Sequence, residues 1–369
     1  MPKQRFHPCN VCATSGLAEL STAGNEDEAL STDSGVVLPA PRHSGEGVGM
    51  DVIERGQLLA DGWTDAEIQR LIRQEKLTRL AHGRYSDLDL AVMSPEERHG
   101  LVAVARWSCF TSPNVVLSHV SAAVLHGLPV IRGQLAKVCL TRSDTGGART
   151  TKKVRVKASH LDVRDRVEID GVPVTSVART LIDLGRHHGT VATVIAADHA
   201  LRHELVEADE VIATVLRMGT APGLPTARRA LVQADGRAES VGESRQHLVL
   251  RPAFPTYASQ VNVFDERGTL TGRVDGALLE AGVVVEFDGF AKYERYRRQG
   301  ESIGGAVARE KKREDRLRAL GWLVIRFTWD ELADPAAMIA KVRRAVAQRA
   351  GQPRPAGTTA VAPPRQIRF

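Results

Sequence analysis

No apolar run in the 369 residues approaches the roughly 20 that a helix needs to cross a bilayer, so no membrane-spanning helix is expected. Cysteine is scarce. The four residues (Cys9, Cys12, Cys109 and Cys139) come without a secretory signal, which points to a reducing cytoplasm. Cys9-Asn10-Val11-Cys12 has half the spacing of a zinc site, but Cys109 and Cys139 offer no second close pair. A nucleophile elbow, a P-loop and a Rossmann glycine pattern are all missing, which argues against the usual small-molecule enzymes.

What is present is globular. Hydrophobic residues make up 43% and charged residues 25%, and the length suits two or three domains. The net charge of +6 is unevenly spread. From Ala291 to Arg326 there are eleven Lys and Arg against five Asp and Glu. Residues 340–369 add seven basic residues and no acid. A basic C-terminal half suits a polyanionic partner.

Residues 1–49 are rich in Ser, Gly, Pro and acids and have no apolar period, which predicts a disordered extension. Met50 stands where ordered sequence is expected to begin. Over 50–90, Val52–Ala60 reads as a short helix, and Thr64-Asp65-Ala66-Glu67 is a capping box opening a second one. There Ile68, Leu71 and Ile72 face inward and leave Gln69, Arg70, Arg73 and Gln74 outside. A basic hairpin follows through Arg79, His82-Gly83 and Arg84. Helix, turn, helix, hairpin is the order of a winged helix-turn-helix, with Arg70, Arg73, Arg79 and Arg84 as its DNA face.

Residues 91–235 read as a mixed α/β middle region. Ser94-Pro95-Glu96-Glu97 starts a helix, Lys137–Thr141 and Val154–Ala158 are strands, and Thr175–Leu184 is an amphipathic helix. His119 and His126 read as packing or capping histidines, and no chemistry is expected in this region.

The chemistry concentrates in 237–335. Two Val-rich runs, Arg273–Gly276 and Val283–Gly289, flank the turn Glu280-Ala281-Gly282 and read as a hairpin. Pairing would bring Asp275 toward Glu286, and Asp288 shares the Glu286 face. Three converging carboxylates call for a divalent ion, Mg²⁺ or Mn²⁺, of the kind that assists phosphodiester hydrolysis. A helix precedes them near Glu239–Leu250, a charged helix follows over Ala306–Leu320, and Trp322–Thr328 is a buried strand. Lys311, Lys312 and Arg313 are candidate phosphate contacts on that charged helix. Arg326, inside an apolar strand, needs a partner, for which Asp315 and Asp330 are candidates. Residues 336–369 read as the end of a helix and a basic disordered tail.

Two resemblances sharpen this reading. The helices, the basic turn and the run Leu117-Ser118-His119-Val120-Ser121-Ala122-Ala123-Val124-Leu125-His126-Gly127-Leu128-Pro129 resemble AbiEi-type antitoxins, helix-turn-helix regulators of toxin–antitoxin systems. That resemblance covers residues 50–200 and implies a cognate toxin as partner. Glu243-Ser244, Arg273-Val274-Asp275, Val285-Glu286-Phe287-Asp288-Gly289, Lys292-Tyr293, Glu310–Asp315 and Leu320–Phe327 are similar, in order, to a domain family related to very-short-patch-repair endonucleases. It implies the restriction-endonuclease-like αβββαβ core of the PD-(D/E)XK superfamily. By the resemblance Asp275 and Glu286 are metal ligands, with Glu243 a further acid. Asp288 stands where that pattern has its lysine, and Lys292 is the candidate substitute. The expected fold is therefore α+β and multidomain. Two functions stay open. One is a cytoplasmic endonuclease acting on double-stranded DNA with Mg²⁺, and the other is a non-catalytic AbiEi-like regulator whose nuclease-fold domain only binds.

Overall fold

The computed structural model describes residues 52–144, 146–288 and 303–369, so the extension over 1–49 and Lys292 lie outside the described residues. Among the described residues the fold is mixed α/β, with three sheets. No helix among the described residues is long and apolar enough to cross a membrane.

The first unit is small. Strand β1 (Ile53–Glu54) runs into α1 (Arg55–Ala60), where a single helix was expected. The strand forms because Ile53 pairs with Tyr85 on β3 (Arg84–Ser86), which also pairs with β2 (Thr78–Ala81). Helix α2 (Asp65–Arg73) opens on the Thr64 capping box. Thr64 Oγ1 accepts from the Glu67 N–H at 3.3 Å and Glu67 Oε2 accepts the Thr64 N–H at 2.8 Å. Ile68 and Leu71 are buried with Leu58, Leu77 and Tyr85, which leaves the basic side of α2 in solvent.

The middle unit begins with α3 (Pro95–Trp107), capped by Ser94 as expected. Six strands follow in a mixed sheet: β4 (Val115–Leu117), β5 (Val138–Arg142), β6 (Arg149–Thr150), β7 (Val154–Ala158), β8 (Arg166–Ile169) and β9 (Val172–Thr175). Their spatial order is β6-β7-β5-β4-β9-β8. Helix α4 (His119–Leu125) lies between β4 and β5 in the chain. Helices α5 (Val177–His187), α6 (Thr190–Arg202), α7 (Ala208–Met218) and α8 (Leu224–Leu231) share one apolar core with α4. Gly185 lets α5 and α8 approach, since a Cβ there would lie 2.7 Å from the Ala227 Cα.

The third unit runs α9 (Val241–Ala253), β10 (Tyr257–Phe264), β11 (Leu270–Leu278), β12 (Val283–Phe287), α10 (Ile303–Ala319), β13 (Leu323–Phe327), α11 (Pro335–Arg349) and β14 (Thr358–Val361). Its sheet is ordered β13-β12-β11-β10-β14, with β12 and β13 parallel and the other pairs antiparallel. Two expectations need correction. Helix α9 continues through Arg251-Pro252 to Ala253. The end of the chain is no disordered tail: β14 pairs with β10, and Ile367 is fully buried in the helical core of the middle unit. A buried isoleucine and a sheet edge outweigh the basic, Pro-containing composition of that segment.

Candidate functional site

The site grows from the place where two strands part. β11 and β12 pair at Leu278–Val283, Ala277–Val284 and Gly276–Val285, and the ladder stops there. One step further, the Asp275 carboxylate accepts the Phe287 backbone N–H at 2.7 Å. A side chain has taken over a bond the ladder no longer makes. Two glycines allow this packing. A Cβ on Gly276 would collide with the Tyr257 hydroxyl on β10, and one on Gly242 would fall into the Phe287 ring. The Gly242 contact seats the start of α9 against β12.

Glu286 lies beside the fork and is only 4% exposed. Burial, with Asp275 nearby, pushes its carboxyl above the ordinary range against the pull of Arg313. Its two oxygens are both engaged. Oε1 accepts from Arg313 at 2.5 Å and Oε2 from Arg326 at 3.2 Å. Arg313 also grips Glu310 at 2.6 and 2.8 Å and reaches the Arg273 carbonyl at 3.2 Å. Arg326 completes the cluster with Glu310 at 2.9 Å and Glu314 at 2.8 Å. Arg326 thus finds Glu286, Glu310 and Glu314 where Asp315 or Asp330 was expected. The parallel register explains the choice, because Glu286 and Arg326 are direct partners on β12 and β13.

Glu243 is buried at the first turn of α9. It accepts the Glu239 N–H at 2.8 Å, the Ser240 hydroxyl at 2.9 Å and the Gln260 amide at 2.7 Å. Gln260 escaped the sequence reading. It occupies the left-handed region, with φ 52°, inside β10, an unfavourable conformation for a side-chain-bearing residue that no local signal announces. Asp288 follows β12 and gives its backbone N–H to the Phe327 carbonyl at 2.7 Å. Among the described residues its carboxylate has no hydrogen-bonding partner.

These acids were expected to hold a divalent ion. Among the described residues no group of three or more His, Cys, Asp or Glu could do so. The donor set explains why. Both Glu286 oxygens accept from guanidinium groups, and Glu243 is occupied by amide and hydroxyl donors. As placed, Glu286 and Glu243 spend their oxygens on protein donors rather than on a divalent ion.

The candidate DNA contacts divide in the same way. Arg70, Arg73, Arg79, Lys311 and Lys312 are exposed. Arg313 turns inward to Glu286. Arg84 is half-buried and ties the β-ribbon to the end of α3, donating to Ser108 Oγ at 2.7 Å and the Ser108 carbonyl at 2.8 Å, with Glu54 at 3.0 Å.

No protein-family model matches the chain. Two uncharacterized proteins of Mycobacterium tuberculosis, from strains CDC 1551 / Oshkosh and ATCC 25618 / H37Rv, are each 25% identical to it over 178 residues. The match covers 48% of this chain and 62% of each relative.

Proposed function

We infer that the protein binds DNA as a regulator, and that its third unit is a nuclease-like fold used for binding rather than cutting. In this reading the first unit is a winged helix-turn-helix that presents Arg70, Arg73 and Arg79 to phosphates. A cognate toxin is the further partner that an AbiEi-like regulator takes. The observation that carries the reading is Glu286, whose two oxygens are held by Arg313 and Arg326. A carboxylate neutralised by two guanidiniums serves as a strut of the fold. The test is duplex mobility shift across a salt series, run beside supercoiled plasmid with Mg²⁺ or Mn²⁺. A retarded duplex and an intact plasmid are expected. Loss of duplex binding at all salt concentrations would overturn the reading.

A second reading is a Mg²⁺-dependent endodeoxyribonuclease. It is favoured by the αβββαβ order, by Asp275 at the strand fork and by Asp288, whose carboxylate has no hydrogen-bonding partner among the described residues. Nicked or linear plasmid that disappears in Glu286→Gln would decide for it.

A further inference from the structure

The middle unit, where no chemistry was expected, holds a concentration of positive charge. From Arg132 to Lys157 there are eight Lys and Arg against one acid, Asp144, a surplus of seven in a chain whose net charge is +6. Arg132 lies 3.9 Å from Glu96, and Arg142 lies 3.2 Å from Asp144. The other six, Lys137, Arg149, Lys152, Lys153, Arg155 and Lys157, have no ion-pair partner among the described residues.

The local structure gathers them. β6 and β7 form an antiparallel hairpin at one edge of the sheet, with Arg149 opposite Val156 and Thr150 opposite Arg155. Thr151 fixes its turn, because the hydroxyl accepts the Lys153 N–H at 3.3 Å and the Val154 N–H at 3.0 Å. Lys152 and Lys153 stand exposed at that tip. Along β7, Val154 and Val156 enter the core shared with α3 and α4. Alternation then turns Arg155 and Lys157 to the other face, about 6.6 Å apart, with Lys153 next in the same row. β5 runs parallel beside β7, with Cys139 opposite Arg155, and brings Lys137 to that face. Burial pushes the Cys139 thiol up, and Arg155, Lys157 and Lys137 all pull against the shift, so the three cations lie near one side chain.

The acids of the pocket around Arg179, where this row ends, are already neutralised. Asp165 takes Arg179 at 2.9 Å and Arg217 at 3.0 Å. Asp183 takes Arg179 at 3.1 Å and Arg186 at 2.9 Å. Asp162 is held by Arg164 at 2.8 Å. Lys157 shares that pocket wall and keeps its charge. Its field reaches α5: burial first, then Lys157 and Arg186, hold His187 down to about 4.

Lysine at a sheet edge also serves to block pairing with another chain. That need ends with β6 and the hairpin tip. Arg155 and Lys157 lie on the second strand of the sheet and Lys137 precedes the third, where no edge is open.

We propose that this edge of the middle sheet is a second DNA surface, which holds the phosphate backbone of a duplex through Lys152, Lys153, Arg155 and Lys157, with Lys137 beside them. The composition selects phosphate over an acidic protein. From Arg149 to Lys153 the hairpin offers Arg, Thr, Thr, Lys and Lys, all of them side chains that meet phosphate oxygens. It has no aromatic or Met anchor, and lysine is depleted where proteins meet proteins. The choice of duplex DNA rests on the regulator reading above, whereas the surface itself does not depend on the first unit.

The test uses the full chain and a duplex of arbitrary sequence, with anisotropy titrations across a salt series and a thermal melt of each preparation. Lys152→Gln/Lys153→Gln changes two exposed side chains. It is expected to melt as the wild type does and to flatten the log–log salt slope by about two, and adding Arg155→Gln takes the change to about three. Arg229→Gln/Arg267→Gln removes the same charge from exposed positions elsewhere and is expected to leave the slope as it was. An unchanged slope in folded Lys152→Gln/Lys153→Gln protein overturns the proposal, and so does an equal change in the control pair. Poly-glutamate serves as competitor and is expected to displace the duplex poorly at equal charge concentration. Equal displacement would mark a general polyanion site and overturn the assignment to DNA. Arg70→Glu/Arg73→Glu keeps the two readings apart. If that pair leaves the slope untouched while the hairpin variants flatten it, the winged-helix reading fails and this surface stands.

Discussion

Asp275 accepts the backbone N–H of Phe287 one step beyond the last paired residues of β11 and β12. The bond makes Asp275 part of the sheet as well as a candidate acid. Asp275→Asn keeps an acceptor oxygen and is expected to melt close to the wild type. Asp275→Ala strands a buried N–H and is expected to cost about 1–3 kcal/mol. Urea denaturation of the two variants checks the contrast. Equal stability of both would remove the structural role.

Glu286 provides the second expectation. Arg313→Met removes one of its two guanidinium partners and leaves a mostly buried carboxylate with Arg326 alone. The side chain of Arg313 is 22% exposed, so the loss is expected at about 1–3 kcal/mol, below the cost of breaking a fully buried pair. Only the ionised carboxylate suffers, and burial already raises its pKa. The loss is therefore expected to be larger at about pH 8 than at about pH 5, where the group can take up a proton. Chemical denaturation at both values measures the difference.

Local signals were legible in the sequence, and distant pairings were not. The Thr64 and Ser94 capping boxes, the Val154–Ala158 strand and the helix-strand order of the third unit all follow from residues within a turn or two of one another. Asp275 and Glu286 do come together, as a hairpin requires. What the hairpin could not reveal is the occupant of Glu286. Arg326 lies 40 residues away and arrives through a parallel strand whose register no short-range pattern encodes. Ile367 is a similar case: one isoleucine in a polar, basic end returns to a core formed more than a hundred residues earlier. The pocket around Arg179 was missed because a buried arginine on an amphipathic helix looks like any exposed one until its two aspartates are placed.

Histidine burial sets the acid behaviour. His119 and His247 are both held to about 3, chiefly by burial. Their folded pKa lies below the unfolded value of about 6.5, so the unfolded chain binds more protons in that interval. Their contribution is complete above about pH 6.5 and is lost as pH falls toward the folded pKa, by up to about 1.4 kcal/mol per pH unit for each. Asp198, pushed up to about 6 by burial and then by Asp235, works in the opposite direction and offsets part of the loss. Stability curves between about pH 7 and 5 are expected to slope downward on acidification. A His247→Gln variant is expected to show a shallower slope, and an identical slope would mean His247 is not buried neutral.

The last expectation separates two kinds of arginine in the first unit. Arg70 and Arg73 lie exposed in the last turn of α2, on the face left free when Ile68 and Leu71 enter the core. Arg84 spends its guanidinium on Ser108 and Glu54. If Arg70 and Arg73 contact phosphates as proposed, reversing both to Glu removes two such contacts, so the salt dependence of duplex binding is expected to flatten by about two in its log–log slope. The melting temperature is expected to hold, because neither side chain is packed. Arg84→Ala is expected to do the reverse. It strips the link between β3 and the end of α3, lowers stability by about 1–2 kcal/mol and leaves the salt slope unchanged. Mobility shifts over a salt series, paired with thermal melts of the same preparations, read both quantities. If Arg84→Ala flattened the salt slope while Arg70→Glu/Arg73→Glu left it untouched, the DNA face would lie on the ribbon rather than on α2.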